Sequence, residues 1–523
     1  MTMPGSSTAD QTTNTGEQPG DGADKHSPER RTGQPGSRPD PSPAADHTGA
    51  SARRADRWGW LGIAAITAAV AATWAPQLAL PLGDNHVGRI FARHALHLRN
   101  LQEKGLVGSS FSADWSPYSN QAYAHHPPLV NMLDATFGLL PGSGTYEVLI
   151  SPFLLGLLVV PAAAALLRAF AIAWIPTLVA VGTMAATGMF WLYSQLTFDM
   201  GLILALSATI VALRKRADPP RWLVVCACVT ALLTTLASWP GIGFAAVLGL
   251  WLLAARRLDR VTVAVGASMV LGVLVSLAFI VGVSGLEDLT SQTEFRTAGG
   301  GFTARQFLVR QRDYATELLP TWYLVIFPIA AVAGLFVRRT RFYLVVTLAF
   351  VGAWVIGLNN GSFIHDYWAY PVLIPGVVAM GVLFDLIVRR VPTWVSASAG
   401  IAAGVGLSVA FGTIALGSTA RDYVYEPADA GRLIEAYAPG PQQQRAWVMN
   451  ISTPRWVAYY WDLPPAVMSP DVLSQAQPDD LILFRTDLRQ GWVPESVPVV
   501  DAEGRYGLLR VADIRAALPA AAD

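Results

Sequence analysis

From Trp58 onward the chain repeats one pattern: an apolar run, then a polar or charged break. With about 20 apolar residues needed to cross a bilayer as a helix, the pattern predicts about eleven spans. They fall at Trp58–Leu80, Tyr146–Leu167, Ile172–Leu192, Met200–Leu213, Trp222–Ala237 and Ile242–Leu253. The others are Val261–Val283, Trp322–Val337, Phe342–Leu358, Trp368–Val388 and Val395–Leu416. Residues 58–420 thus form a transmembrane domain interrupted by two long polar loops, 83–145 and 284–320. The expected fold class is an α-helical polytopic membrane protein with a small C-terminal α/β domain.

The ends differ from this core. Residues 1–57 are rich in Pro, Gly, Ser, Thr and charge, a composition that cannot bury enough apolar surface to fold, so a disordered tail is expected. It has no signal-peptide core and cleavage site. After Arg421 the long apolar runs stop. RAWVMNI, DDLILFRT and YGLLRV read as short strands separated by Pro, Gly and Asp, and about a hundred residues suffices for a small domain. It shows no nucleophile elbow, metal-spaced cluster or phosphate loop; Asp429, Glu435 and Asp462 read as surface charges, and the domain as a lid or an acceptor dock.

Charge placement orients the bundle. Alternate connections carry the arginines: Arg168, Arg214–Arg221, Ala255–Arg260, Arg338–Arg341 and Arg389–Arg390. By the positive-inside rule these face the cytoplasm with the N-terminus. The two long loops and the C-terminal domain (421–523) then lie outside a plasma membrane. Whole-chain composition agrees: 52% of residues are hydrophobic, mean hydropathy is +0.38, and the formal net charge of zero offers no case for nucleic acid. Cys226 and Cys228 sit in one apolar run as inert packing.

The first outer loop concentrates the chemistry. Asp84 stands at the mouth of the first span, followed by helical spacing with Val87, Ile90, Phe91, Leu98 and Leu101 on one face and Arg89, Arg93 and His97 on another. This predicts an amphipathic helix lying in the membrane interface and stopping near Gly105. Asp84 or Asn85 can cap it. His125 and His126 precede a Pro-Pro pair. Asp199 sits at the outer start of the fourth span, and His365, Asp366 and Tyr367 at that of the tenth. Ionisable groups at membrane level are costly unless solvated or serving a site, and all of these share one side. In the second loop Gly299–Gly301 reads as a flexible hinge or a close backbone approach, and the run after it as an interfacial helix carrying Arg305, Arg310 and Arg312.

An aspartate just after the first span, an amphipathic helix and then the YAHHPPL stretch (Tyr123–Leu129) resemble membrane glycosyltransferases of the GT-C class. The similarity is to the bacterial branch related to protein O-mannosyltransferases and to the aminoarabinose transferase acting on lipid A. Asp199 in FDMGL and the HDYWAYP stretch (His365–Pro371) resemble further elements of that family. Protein mannosyltransferases carry Asp-Glu where this chain has Asp84-Asn85, a departure that weakens a protein acceptor and leaves the wider class intact.

The resemblance implies a sugar taken from a polyprenyl-phosphate donor and moved, with inversion, to a hydroxyl of a glycan, lipid or protein acceptor. In that scheme Asp84 is the base that removes the hydroxyl proton. Arg89, Arg93, His125, His126 and His365 stabilise the leaving phosphate, and Tyr367 is a further donor. Asp199 and Asp366 orient those cations or bind sugar hydroxyls. Asp84 and Asp199 would also suit a divalent cation, although nothing at ligand spacing demands one. The rival class is a lipid or solute carrier without chemistry. Carriers place ionisable groups near the midplane and often show internal repeats, and neither feature is evident in the sequence.

The topology predicts that a tag at the N-terminus of cells or right-side-out vesicles resists external protease while one after Asp523 is cleaved; equal accessibility of both would overturn it.

Overall fold

The computed structural model describes residues 44–137, 145–196, 198–297 and 300–518. The tail read from residues 1–57 lies largely outside these, as do Gly299 and Asp523. The first helix, α1 (Ala44–Trp74), begins ahead of the expected boundary at 58. By its internal contacts residues 54–523 form one compact unit that includes the C-terminal sheet.

The outer segment after α1 forms α2 (His86–Gly108) and α3 (Leu129–Phe137). The bundle continues with α4 (Thr145–Ala169), α5 (Trp174–Ala185), α6 (Gly188–Tyr193), α7 (Met200–Arg214), α8 (Arg221–Ala237) and α9 (Trp239–Arg256). Next come α10 (Arg260–Thr297), α11 (Ala304–Leu318), α12 (Thr321–Phe336), α13 (Arg338–Gly357), α14 (Asn359–Ile364), α15 (Leu373–Val388) and α16 (Thr393–Leu416). Among the described residues seven helices are long and apolar enough to cross a membrane, or eight if the pair α11–α12, bent by 110°, is one span. The helices α5, α7 and α8 are apolar but shorter. Every expected span falls on a helix, yet only seven or eight meet the length criterion.

Local chemistry explains the departures. The expected span Ile172–Leu192 is two helices, because the chain breaks after Ala185 and the Thr187 side chain accepts from Phe190 N–H to start α6. The expected loop 284–320 is mostly helical. The last helical stretch of α10 runs past Ser284 to Thr297, interrupted at Gly285, whose φ of 85° suits glycine. The Thr303–Gln306 capping box opens α11. α2 is not an interfacial helix resting in lipid: Phe91, Ala92, Leu96 and Leu98 are buried in the protein core, as are His94, His97 and Asn100.

The arginine-bearing connections gather at one end of the bundle. Asp385, 1% exposed, accepts from Arg339, from Arg389 at 2.9 Å and from the Ala173 N–H at 3.2 Å. Arg339 also donates to the Ala171 carbonyl and Lys215 to that of Ala169. Three connections spaced widely in sequence thus meet at one buried carboxylate, and Lys215 ties a fourth to them, as the alternation of charge implied.

The C-terminal region opens with the turn α17 (Ser418–Ala420) and α18 (Glu426–Ala436). It continues through β1 (Ala446–Met449), α19 (Arg455–Trp461), β2 (Pro465–Val467), β3 (Leu481–Arg485), β4 (Asp501–Glu503), β5 (Tyr506–Arg510) and α20 (Val511–Ala517). The sheet order is β2-β1-β3-β5-β4, with β1 parallel to β2 and β3, and β5 antiparallel to β3 and β4. The three apolar runs seen in sequence are β1, β3 and β5, all fully or mostly buried. The edge strands β2 and β4 have three residues each, too few to display an alternation.

This sheet domain is docked onto the start of α2. The Leu82 N–H donates to the Tyr460 hydroxyl at 2.8 Å, and the Asp84 N–H to the Pro427 carbonyl at 3.2 Å. Asn85 Nδ2 donates to the Tyr423 carbonyl at 2.8 Å. Gly83 makes the approach feasible, since a Cβ there would sit 1.8 Å from the Pro427 oxygen. Gly83→Ala is therefore expected to lower the unfolding midpoint and to open residues 417–446 to limited proteolysis; an unchanged midpoint with intact protection would show that the contact is dispensable.

Candidate active site

Asn85 is the cap of α2. Its side chain accepts from the Gly88 N–H, with φ −126° and ψ 175° at the capping residue. Asp84 is thereby released from capping. Its carboxylate, 5% exposed, accepts from Arg89 at 2.7 Å and from the hydroxyl of Tyr506 at 3.3 Å. Burial raises the Asp84 carboxyl above its ordinary value, against the opposing pull of Arg89. A carboxylate held by two donors yet raised by desolvation is suited to taking a proton.

This gives Arg89 a different part from the sequence expectation and adds a residue the sequence did not offer. Arg89 is the ion-pair partner of Asp84, a role that positions the carboxylate. Tyr506 comes from β5 of the small domain, where no motif pointed to a site; only the pairing of that sheet with α2 brings it to Asp84.

One residue further on, His86 joins Asp84 to the HDYWAYP stretch. Its Nε2 lies 3.5 Å from Asp366 Oδ1, and its ring packs edge-on against Tyr367 and His365, with centroids 5.5 and 6.1 Å apart. Asp366 also accepts from the Tyr193 hydroxyl, and it is buried. Burial, then the charges of Arg296 and His86, hold His365 down at about 3, so the ring is neutral. The structure thus brings Asp84, His86, His365, Asp366 and Tyr367 together. His86 was missed because one histidine inside a capping turn carries no signal of its own.

A group of cationic and imidazole side chains adjoins this cluster. The Arg93 guanidinium lies 4.6 Å over the Tyr123 ring, and that ring stacks 4.3 Å from His125. His125 pairs with Asp288 at 3.2 Å, and the Trp239 indole donates to its carbonyl at 2.9 Å. Burial lowers the His125 imidazole while Asp288 opposes the shift. His126 exposes part of its ring although protein surrounds it closely. Burial, then the charges of Arg93 and Arg296, hold it well below the usual imidazole range. Neither Arg93 nor Arg296 forms an ion pair among the described residues; Arg296 instead lies 5.2 Å over Trp368.

Arg93 is set by a buried relay. One of its terminal nitrogens donates to His94 Nε2 at 3.0 Å, and His94 Nδ1 stands 2.7 Å from Asp134, a close contact away from ideal hydrogen-bond alignment. Ser151 donates to the other Asp134 oxygen at 2.9 Å. Burial keeps His94 neutral, which leaves Nε2 able to accept, and raises Asp134 to about 7.

Asp199 is engaged differently from the sequence expectation. It accepts from the hydroxyl of Ser238, the residue that caps α9 by accepting from the Gly241 N–H at 2.9 Å. Trp239, next in sequence, is the residue that holds the His125 carbonyl. Asp199 therefore braces the α9 start that supports the histidine turn. In the second loop Arg310 donates to Tyr314 at 2.7 Å and Arg312 pairs with its neighbour Asp313, so these two arginines are locally satisfied. No group of three or more His, Cys, Asp or Glu side chains that could hold a metal ion occurs among the described residues.

The cap and the carboxylate separate by experiment. Asn85→Ala is expected to cost about 1 kcal/mol of stability or more, for the lost cap and its bond to Tyr423. Because Asp84 binds its proton more tightly in the folded protein than in the unfolded chain, its ionisation costs stability as pH rises from 3.8 through the raised value, and that cost persists at neutral pH. Asp84→Asn should therefore leave the unfolding midpoint at pH 7 unchanged or higher. A large drop would make Asp84 a structural anchor.

No family model and no curated protein matches the chain. Solved structures do. The crystal structure of ArnT from Cupriavidus metallidurans bound to undecaprenyl phosphate matches with a TM-score of 0.51 at 15% identity, over 87% of this chain and 98% of the other. The apo-state structure of the same protein gives 0.49 at 16% identity, over 88% and 99%. At such identity the match to the undecaprenyl-phosphate-bound structure shows the fold alone: a polytopic helical bundle with a small C-terminal sheet domain, the fold class expected from the sequence.

Proposed function

We propose that this protein is a glycosyltransferase that moves a sugar from a polyprenyl-phosphate donor to an acceptor hydroxyl at the outer membrane surface. The observation that carries the reading is a buried carboxylate, raised in proton affinity, linked through His86 and the His365–Trp368 stretch to a group of arginines and neutral imidazoles. The fold is that of a protein whose crystal structure holds undecaprenyl phosphate, which supports the donor class.

The residues divide the work of an inverting transfer. Asp84 takes the acceptor hydroxyl proton as the new bond to the sugar C1 forms, while the bond from C1 to the phosphate oxygen breaks. The electron pair leaves with the phosphate, whose charge Arg93 and Arg296 offset and to which His125, His126 and His365 can donate N–H groups. The neutral imidazoles add donors without adding charge repulsion to the arginines. Arg89 and Tyr506 hold the Asp84 carboxylate, and Asp366 with His86 holds the His365–Tyr367 stretch against it. The acceptor is a hydroxyl of a cell-envelope glycan, lipid or protein, and the donor sugar is a hexose or a pentose. The arginine pattern supports an N-terminus in the cytoplasm and a C-terminal domain outside.

The test is transfer from a purified polyprenyl-phosphate sugar by protein in detergent or liposomes. Asp84→Asn should lower turnover by roughly 10²–10⁴-fold, the usual range of general-base catalysis. The wild-type rate should fall as pH drops through the raised Asp84 value, so the acid limb should lie above 3.8 and disappear in the variant. A donor recovered chemically intact, only moved across the membrane, would make the protein a carrier. Near-normal transfer by Asp84→Asn would take that residue out of the reaction.

A further inference from the structure

The small C-terminal domain adds a third arginine to the group formed by Arg93 and Arg296. Arg455 is the first residue of α19, and its guanidinium carbon lies 5.0, 5.6 and 5.8 Å from the rings of Trp115, Tyr118 and Tyr123. These three rings pack on one another with centroids 4.6–4.8 Å apart for the two Trp115 pairs. Arg93, from α2, lies over the same Tyr123 ring. Two guanidinium groups from parts of the chain more than 350 residues apart in sequence (455 − 93 = 362) thus share one aromatic surface.

Neither arginine has an ion-pair partner among the described residues, and the Nε of each is buried without a hydrogen-bond acceptor there. Aromatic faces and the Tyr118 hydroxyl offset part of the charge on Arg455. They do not cancel two adjacent cations, and burying like charges together without a counter-charge is unfavourable. Burial and the nearby Arg93 both act to lower the Arg455 guanidinium. The backbone leading to Arg455 is strained as well. Thr453, a β-branched residue, has a φ of 54°, and Asn450 has 56°.

The arrangement is also rigidly held. Arg99 of α2 pairs with Asp462 at 2.9 Å and donates to the Tyr459 carbonyl at 3.2 Å, one on each side of the last turn of α19. Trp456 and Trp461 are buried in the core. A packed, strained segment thus brings a second cation beside Arg93 with no counter-charge among the described residues.

We propose that Arg93 and Arg455 together bind a phosphate ester over the Trp115–Tyr118–Tyr123 surface, so that the C-terminal domain forms part of the donor site. The ester expected is the polyprenyl phosphate of the donor, which rests on the functional reading above; a phosphate carried by the acceptor has the same chemistry. The domain is then neither a detached lid nor only a dock.

The experiment measures binding by full-length protein in detergent, with Trp fluorescence or calorimetry, of a short prenyl monophosphate, the prenyl alcohol of equal length and inorganic phosphate. Arg455→Gln should weaken prenyl phosphate binding by roughly 10- to 100-fold, the scale of a lost charge-assisted hydrogen bond, and leave the alcohol unaffected. Arg455→Lys should retain part of the affinity. Without ligand, Arg455→Gln should keep or raise the unfolding midpoint, because it removes a like charge beside Arg93, and the increase in midpoint caused by prenyl phosphate should shrink. Arg93→Gln combined with Arg455→Gln should cost less than the two effects added, since both hold one group. Arg455-dependent binding of inorganic phosphate as strong as that of prenyl phosphate would keep the anion site and assign it to an acceptor phosphate. Prenyl phosphate affinity within twofold of wild type in Arg455→Gln, or an equal loss for the alcohol, would overturn the proposal. Intact Arg455-dependent binding without sugar transfer would instead overturn only the functional reading.

Discussion

The turn Gly83–Asn85 is the constraint on which the site depends. Asn85 supplies the helix cap, and the same side chain donates to the C-terminal domain, so one amide serves both elements. With the cap provided, the carboxylate of Asp84 can carry a charge that no backbone donor consumes. Arg89 reaches it from the following helix, and Tyr506 reaches it from the sheet because Gly83 lets the Pro427 carbonyl come close. Burial then sets the proton affinity of Asp84. Helix start, domain docking and carboxylate chemistry are three consequences of one three-residue turn.

The rest of the site is arranged by support rather than by direct contact. Neutral His94 is held between Asp134 and Arg93, which fixes the guanidinium over Tyr123. Asp199 and Ser238 fix the start of α9, and Trp239 fixes the histidine turn from there. These buried polar chains cost desolvation, and satisfied partners limit that cost. They restrain groups on several helices and one sheet, which the proposed transfer would need in order to align donor, acceptor and base. The opposite end of the bundle uses the same device, a buried Asp385 collecting two arginines and a backbone N–H, for cohesion.

What the amino-acid sequence determined by itself was whatever depends on local composition. Apolar runs marked the long helices of the bundle, and arginine placement grouped the connections that do meet at one end. Three apolar stretches became β1, β3 and β5. Asp84, Arg93, the His125–His126 turn and the His365–Tyr367 stretch were legible as candidates because charge and imidazole stand out against an apolar background. Tertiary structure decided the rest. Whether Asp84 or Asn85 caps α2 turns on backbone angles and on a domain more than 330 residues away. Arg89 became a partner of Asp84, and α2 became buried, because α19 and the bundle cover faces that the periodicity of α2 alone would leave to lipid. His86, Tyr506 and Arg455 have no local signature: each is an ordinary residue in a turn, a strand or a short helix. They become functional candidates only by long-range packing, because which charges meet is set by how distant segments bury one another.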